Sequence, residues 1–284
     1  MTLKYLYAGY AKCGTKTIAT ACRRLGLKVL DLEEMLLHTP DFWLLYYDKS
    51  KTTEERNKIL YDMLKDFDIA LDTPFYFYWK EILDVFPDCK VIFYERNEDD
   101  WYKSHANQAK VNAKFYSIPD PLHRLFNFLF LPSVGKMMKV YRMFLPLQFG
   151  EAPGTMRNWN MQFTVYNEHL IRRGYRQHNS DLKMNCPKNK ILILDSLNCG
   201  YKVLCDFMNI NLPENIVWPH KNKSGERNIL EDIYLDNAKA PLKLIARNEM
   251  AGRIKTYAIL CLCTFLVMVL TNVFSFYLGV SVVE

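Results

Sequence analysis

The stretch from Gly9 to Thr17, "GYAKCGTKT", combines two lysines, two glycines and two threonines. Glycine loops of this kind bind phosphate where they follow a strand and open a helix, because backbone N–H groups converge there and the helix dipole favours an anion. The stretch departs from the nucleotide-binding pattern G-x-x-x-x-G-K-[ST], since Thr15 separates Gly14 from Lys16 and a second lysine, Lys12, precedes the glycine. It is therefore either an altered ATP site or a site for a different phosphate-bearing ligand.

A second phosphate-binding element follows the apolar segment "KVIFYE". Arg96 comes directly after that segment, and Ser104 lies further on, along a predicted helix that Asp99 or Asp100 is expected to cap. An arginine and a hydroxyl at the carboxyl edge of a parallel sheet can bind phosphate, the arginine through a pair of parallel hydrogen bonds. The sequence thus predicts two phosphate sites at one edge of a sheet.

Strand and helix signals alternate along the chain, a pattern typical of a parallel sheet covered by helices. Helices are predicted after the loop, with Gly26 as C-cap, over residues 52–66 behind a threonine cap, and after Thr73 and Pro74, taken as N-cap and first helical position. We expect one α/β domain of the P-loop type over residues 1–224. Strands are predicted within residues 3–8, 27–31, 67–72, 89–95 and 189–195.

Residues 118–154 are rich in large apolar side chains and are interrupted by Pro132 and Pro146. Basic residues along this segment make a membrane span unfavourable, and its length is too great for a simple connection. We expect a helical insertion here. It either forms a lid over the substrate at one mouth of the sheet or packs into the core.

The chain has no charged residue from Tyr257 to Val283, and about 20 apolar residues span a bilayer core. Residues 257–280 are predicted to form a transmembrane helix, with a buried core helix as the alternative, and residues 225–256 a polar connector. Basic residues precede the segment and only Glu284 follows it, so the positive-inside rule places the globular part in the cytosol. We expect a single-pass C-terminal anchor in the endoplasmic reticulum or another endomembrane.

The composition excludes several classes of function. The net charge of +6 suits an anionic ligand or a membrane surface, but the basic residues are too scattered to favour nucleic acid. The eight cysteines form no C-x-x-C pair and no zinc-type grouping with histidine, which favours free thiols in a reducing compartment and no metal site. Nothing in the sequence indicates an oligomeric state.

The two motifs together, K-x-G-T after the first strand and R-x(7)-S after a central strand, resemble those of sulfotransferases. The chain is similar to the P-loop sulfotransferase-like family often labelled sulfotransferase family 4, over most of residues 3–224. The resemblance implies 3′-phosphoadenosine 5′-phosphosulfate as the donor, with Arg96 and Ser104 on its 3′-phosphate. It implies that the 5′-phosphosulfate is bound by the loop residues Lys12, Cys13, Gly14, Thr15, Lys16 and Thr17.

The resemblance also implies catalytic roles. Lys12 corresponds to the residue that neutralises charge on the bridging oxygen as the sulfonate departs. Cytosolic sulfotransferases usually have a histidine base just after the third strand, where this chain has Asp72, and related enzymes use a carboxylate. Asp72 is therefore the expected base, the alternative being that it only caps a helix. His38 and His169 are weaker candidates.

Other positions depart from the family pattern. Cys13 stands where a serine or threonine is common, and Lys16 where a small residue often sits, although its charge suits an anion. The glycine-rich 3′-phosphate loop has no clean counterpart, and residues 220–228 are a weak substitute for it. Asp195 follows a strand as a Mg²⁺ ligand would, but the inserted Thr15 argues against a nucleotide site.

The expected function is sulfonate transfer to a hydroxyl or amine of a small, lipophilic acceptor, at a membrane and without a metal. The first alternative is a non-catalytic relative that is anchored to the membrane and binds the nucleotide or a partner there. An NTP-dependent kinase is less favoured.

Overall fold

The computed structural model describes residues 2–115, 129–144, 147, 167–219 and 241–277. Among them, five strands form one sheet in the order β2–β3–β1–β4–β5, and every neighbouring pair is parallel. In the centre, Leu6 lies opposite Ala70 on one side and Val91 on the other. The predicted α/β class and all five predicted strands are confirmed. The strands are β1 (Tyr5–Tyr7), β2 (Val29–Leu30), β3 (Ile69–Leu71), β4 (Lys90–Tyr94) and β5 (Ile191–Leu194).

Helices cover both faces of this sheet. The predicted cap of the fourth helix is confirmed, because the Thr52 side chain accepts a hydrogen bond from the Glu55 N–H and the Glu55 side chain bonds back to the Thr52 backbone. The helices in chain order are α1 (Thr15–Arg24), α2 (Leu32–His38), α3 (Pro40–Tyr46), α4 (Thr53–Leu64), α5 (Trp79–Val85), α6 (Glu98–Phe115), α7 (Pro132–Phe144), α8 (Glu168–Asn185), α9 (Gly200–Met208) and α10 (Pro241–Tyr277).

The predicted cap of α6 is wrong. Asn97, and neither Asp99 nor Asp100, caps the helix: its side-chain oxygen accepts hydrogen bonds from the N–H groups of Asp99 at 3.0 Å and Asp100 at 3.2 Å. The two aspartates lie in the first turn, where negative charge also favours the positive end of the helix dipole.

Two other predicted helix ends shift. Pro74 is the N-cap of a short 3₁₀ helix over Phe75–Tyr78, and α5 begins only at Trp79, so Thr73 and Pro74 do not open an α-helix. At the end of α1 the C-cap is Leu25, and Gly26 follows it with a left-handed φ of 78°.

Alternate residues of each central strand face opposite layers, as the period of a strand requires. On one side, Leu6 and Val91 join a core formed with α2, α3, α4, α5 and α7. On the other side, Tyr7 and Ile92 pack against α1 and α9. The carboxyl ends of β1, β3 and β4 therefore meet at one edge between two filled layers, and this edge positions the candidate site.

The described part of the 118–154 insertion is α7, and it packs into the core. Met137, Val140 and Phe144 are buried, and the Phe144 ring meets Trp43 of α3 edge-on at 5.1 Å. For α7 this favours core packing over a lid. Apart from residues 129–144 and 147, the insertion lies outside the described residues.

The last helix begins at Pro241, so the second half of the predicted connector is helical, as are residues 257–277 of the predicted membrane segment. Within it, the 25 residues Arg247–Thr271 are long and apolar enough to cross a membrane by length and composition, and none of the apolar stretch is buried in the protein. All eight cysteines are free thiols.

Candidate functional site

The loop between β1 and α1 has the backbone of an anion site. Lys12 and Gly14 have left-handed φ angles of 71° and 83°. Gly14 is the N-cap of α1, no side chain caps this end, and the first turn has no acidic residue. The first N–H groups of a helix have no partner within the helix, so this end offers donors and positive potential. The φ of Gly14 favours glycine, and a Cβ there would lie 2.4 Å from Leu197 Cδ1, so that side chain would have to move.

A buried aromatic cluster packs against the loop. The Tyr10 ring lies 4.8 Å from Tyr76, 5.4 Å from Trp101 and 5.6 Å from Tyr175. The Trp101 indole N–H donates to the Ala11 carbonyl at 2.9 Å. The sequence reading missed this cluster. A usable signal was the helical spacing of the buried residues Ile171, Tyr175, Asn179 and Leu182 on α8.

Lys12 and Arg96 lie together at the carboxyl edge of the sheet. The Arg96 guanidinium donates to the Lys12 carbonyl at 3.2 Å, and the Lys12 ammonium donates to Gln108 Oε1 on α6 at 3.2 Å. Burial lowers the pKa of Lys12, the negative charge of Asp72 opposes that effect, and the charges of Arg96 and Lys16 lower the pKa further. The loop and the segment after β4 thus meet at one edge of the sheet.

Ser104 belongs to the same arrangement through its place on α6. It lies three residues after Trp101 and four before Gln108, and these spacings put all three on one face of the helix. Trp101 and Gln108 both contact the loop, so Ser104 lies on the helix face that carries these two contacts.

Asp72 lies at the end of β3, buried and with a left-handed φ of 70°. Its Oδ1 accepts a hydrogen bond from the Thr73 N–H at 2.7 Å. Its negative charge acts to raise the pKa of both Lys12 and Lys16, which places the carboxylate at the same sheet edge. This bond caps no helix, because the N-cap of the following 3₁₀ helix is Pro74 and no side chain caps it. The bond suits a structural role in the turn after β3, and the electrostatic coupling to Lys12 suits the role of a base.

Lys16 has a different environment from the one expected for a phosphate ligand. Its ammonium donates to the buried carboxylate of Asp31 at 2.8 Å and also to Glu33, both at the start of α2. Burial lowers the pKa of Lys16, but the charges of Asp31 and Glu33 outweigh that effect and raise it. Because two carboxylates already neutralise this ammonium, its net charge toward a bound anion is small.

The remaining loop residues fix the backbone. Cys13 is buried, its Sγ lies 3.7 Å from the Tyr175 hydroxyl, and its carbonyl accepts a hydrogen bond from Tyr7. Burial raises the pKa of the Cys13 thiol to about 11, so the thiol is protonated at neutral pH. Thr15 and Thr17 are also buried, and the Thr17 N–H donates to the Gly14 carbonyl at 3.0 Å.

Carboxylates that could hold a metal ion gather on one side of the loop. Asp31, Glu33 and Glu34 have ligand oxygens within 4.8 Å of one another, but their cations are Lys16 and Arg23, which lies 2.5 Å from Glu34. The weaker sequence candidates have no buried position in the described residues. His38, His169 and Asp195 are exposed, and residues 220–228 lie outside the described residues.

A family profile, one relative and one solved structure match this chain, and the profile shows the family. A family profile described as a sulfotransferase domain matches residues 4–227. Ava biosynthesis cluster protein M from Aspergillus versicolor is 22% identical over 227 residues, which cover 77% of this chain and 80% of that protein. The crystal structure of a sulfotransferase from Alicyclobacillus acidocaldarius aligns with a TM-score of 0.38 at 13% identity, over 74% of this chain and 82% of the other.

Proposed function

This chain belongs to the sulfotransferase family of transferases, and from that premise we propose that it transfers a sulfonate group from 3′-phosphoadenosine 5′-phosphosulfate to a hydroxyl or amine of a small, lipophilic acceptor. One observation carries the proposal: the Arg96 guanidinium lies 3.2 Å from the Lys12 carbonyl. A nucleotide with phosphates at both the 3′ and 5′ positions needs two cationic elements side by side. This contact places the loop that carries Lys12 next to the segment that carries Arg96.

The residues present fit such a donor. The uncapped N-terminus of α1, with Gly14, Thr15 and Thr17, would hold the 5′-phosphosulfate, and Arg96 with Ser104 would hold the 3′-phosphate. When bound, the donor supplies the electrophilic sulfur. Lys12 is half-buried, and a charge in a partly desolvated site stabilises developing negative charge more strongly than the same charge in water. We assign Lys12 to the bridging oxygen, where charge grows as the sulfur–oxygen bond breaks.

Asp72 is assigned to the acceptor proton. As the acceptor oxygen forms its bond to sulfur, its proton passes to the carboxylate, and 3′-phosphoadenosine 5′-phosphate leaves. The Thr73 N–H holds Oδ1, which orients the carboxylate without removing its charge. The same bond supports a second candidate function, a nucleotide-binding protein in which Asp72 is only structural.

We also propose that the uncharged run of α10 that begins at Tyr257 crosses a membrane and that the globular part lies in the cytosol, on an endomembrane such as the endoplasmic reticulum. The length and exposure of this segment support the span, and the basic residues before it support the orientation. An acceptor that partitions into the bilayer would reach an enzyme held at its surface.

Calorimetry on the full chain in detergent tests the donor. We expect tighter binding of 3′-phosphoadenosine 5′-phosphate than of ATP with Mg²⁺. Removing one charged hydrogen-bond partner costs about 1.5–3 kcal/mol, so Arg96→Ala should weaken the 3′-phosphorylated nucleotide roughly tenfold or more and its 3′-hydroxyl analogue little. Arg176→Ala, which removes an exposed arginine paired with Glu98, is the matched control and should change neither. Preference for ATP with Mg²⁺ would contradict the proposal.

Transfer of labelled sulfonate to a panel of lipophilic alcohols and amines tests the reaction. Transfer supports the enzyme. Tight binding of the nucleotide with no transfer to any acceptor would favour the second candidate function.

A further inference from the structure

The helix α10 is docked on α7 by polar and aromatic contacts. Both oxygens of Glu249 accept hydrogen bonds from the Ser133 N–H, at 3.2 and 3.1 Å, and the Ser133 hydroxyl donates to the same carboxylate. The Tyr257 hydroxyl donates to the Leu129 carbonyl at 3.0 Å, and the Tyr257 ring meets the Phe130 ring edge-on at 5.8 Å. Ser133 lies in the first turn of α7, so Glu249 caps a helix at the end where negative charge is favoured.

These contacts determine where the start of α7 lies relative to the membrane–water interface. Tyr257 opens the uncharged run of α10, and tyrosine is enriched at membrane–water interfaces. Glu249 precedes Tyr257 by eight residues, or about 12 Å along a helix. Leu129 and Phe130, which contact Tyr257, therefore lie at the level where the apolar run begins, and Ser133 lies further into the aqueous side.

The charges beside this junction suit an anionic surface. Arg247, Arg253 and Lys255 on α10 and Lys139 on α7 are exposed. Within the described parts of these two helices, Glu249 is the sole acidic residue, and Ser133 holds it. Basic residues beside a membrane helix are attracted to anionic lipids.

We propose that residues 129–131, together with Tyr257, rest in the headgroup–acyl boundary of an anionic phospholipid bilayer, and that the contact between Glu249 and Ser133 holds the globular part on that surface. This inference rests on the proposed membrane span. It makes residues 129–131 and Tyr257 a single membrane-facing surface, so that the globular part has a fixed orientation on the bilayer.

The test uses the full chain in vesicles of phosphatidylcholine with phosphatidylserine. Cys261 and Cys263 are exposed thiols and are replaced by alanine. This double variant, without a further cysteine, is labelled in parallel, and its fluorescence is subtracted from that of the labelled proteins. Phe130→Cys then receives an environment-sensitive fluorophore, and Met184→Cys, at a position that is 75% exposed on α8, is the matched control. Lipids with a spin label high on the acyl chain should quench the fluorophore at position 130 at least twofold and leave that at position 184 unchanged. Nucleotide binding by both labelled proteins verifies the fold.

The junction is tested by Glu249→Ala, with its exposed neighbour Asn248→Ala as control. Glu249→Ala should bring the quenching at position 130 close to that at position 184, and Asn248→Ala should leave it unchanged. Omitting phosphatidylserine should reduce the quenching. Quenching that is independent of Glu249 or of phosphatidylserine would overturn the corresponding part of the proposal.

Alkaline carbonate extraction separates this inference from the span on which it rests. A chain that resists extraction while position 130 stays unquenched retains its anchor and overturns the seated surface. A chain that carbonate extracts overturns both. Neither result bears on nucleotide binding, which calorimetry measures separately.

Discussion

The two lysines of the loop, Lys12 and Lys16, have opposite environments although they lie one helical turn apart in sequence. Lys12 precedes Gly14, faces α6 and donates to the neutral amide of Gln108, and its pKa is lowered, chiefly by burial. Lys16 lies in the first turn of α1 and faces α2, where two carboxylates raise its pKa in spite of burial. The helix that each lysine faces, α6 or α2, therefore decides which of two equal charges is available to a ligand.

The origin of the difference is local. Asp31 and Glu34 form the capping box of α2, so the start of that helix gathers acidic groups beside α1. On the other side of the loop, α6 presents Trp101 and Gln108 to it. We therefore expect substitutions on the Lys12 side to change chemistry, and substitutions on the Lys16 side to change stability.

The largest effect is expected at the carboxylate that faces Lys12. Asp72→Asn keeps an oxygen for the Thr73 N–H but cannot take a proton, so turnover should fall about 10²–10⁴-fold. Donor affinity measured by calorimetry should stay near wild type. Asp66→Asn, at an exposed position, is the control and should keep full turnover. Full turnover in Asp72→Asn would leave Asp72 with a structural role only.

Next in size is Lys12→Ala. Losing a preorganised charge at the leaving oxygen should cost roughly 3–4 kcal/mol in the barrier to transfer. Donor affinity should fall as well, because Lys12 also contacts the ground-state phosphosulfate in our assignment. Steady-state kinetics and calorimetry measure the two effects. An Ala variant that transferred sulfonate at the wild-type rate would remove the distinction between the two lysines.

Lys16→Met should act on stability instead. It leaves the buried Asp31 without its nearest cation, and breaking such a buried pair costs about 3 kcal/mol. Donor affinity should change less than about threefold, since the ammonium is already neutralised. Urea unfolding in mild detergent measures the loss. Lys58→Met, which removes an exposed pair with Asp62, should cost less than about 0.5 kcal/mol. A Lys16→Met variant that is as stable as the wild type but no longer binds the donor would contradict this difference between the two lysines.

The smallest effect concerns pH. His178 donates to the Ala8 carbonyl just before the loop, and burial lowers its pKa to about 4. The unfolded chain therefore binds the proton first, and stability should fall by about 2–3 kcal/mol as pH drops from about 6.5 toward 4. Thermal unfolding of His178→Gln should lack this part of the pH dependence. His169→Gln, at an exposed position, should retain it.

Lys16 should give stability the opposite dependence on pH. Its raised pKa contributes stability that is complete below the usual lysine value and is lost as pH rises beyond that value. Protonation of His178 should therefore lower stability at acidic pH, and deprotonation of Lys16 should lower it at alkaline pH. Both effects can be measured without a nucleotide.

The sequence was sufficient for the sheet and for the meeting of Lys12 with Arg96. Buried parallel strands are continuous apolar runs, and their carboxyl ends must share an edge, so residues that follow two such runs converge. The Thr52 cap was equally visible, because its partner Glu55 lies within the same motif.

Features that depend on how helices lie against one another could not be read in this way. The pair of Lys16 with Asp31 requires that α2 begin beside the first turn of α1, which no local spacing encodes. Asn97 was overlooked because two aspartates beside it are equally good caps by residue type. The early start of α10 had a local signal, since Pro241 is a favoured first helical residue.

The aromatic support of the loop has a consequence for the order of events during synthesis. The loop leaves the ribosome well before α8, yet Tyr175 and His178 of α8 contact Cys13 and Ala8 across separations of 162 and 170 residues. Contacts this distant in sequence form late, because the intervening chain must first be closed into a loop. A nascent chain that ends before α8 should bind no nucleotide. At about 5–20 residues per second, the stretch between α8 and Tyr257 allows several seconds for the loop to reach its working shape before the apolar end of α10 is made.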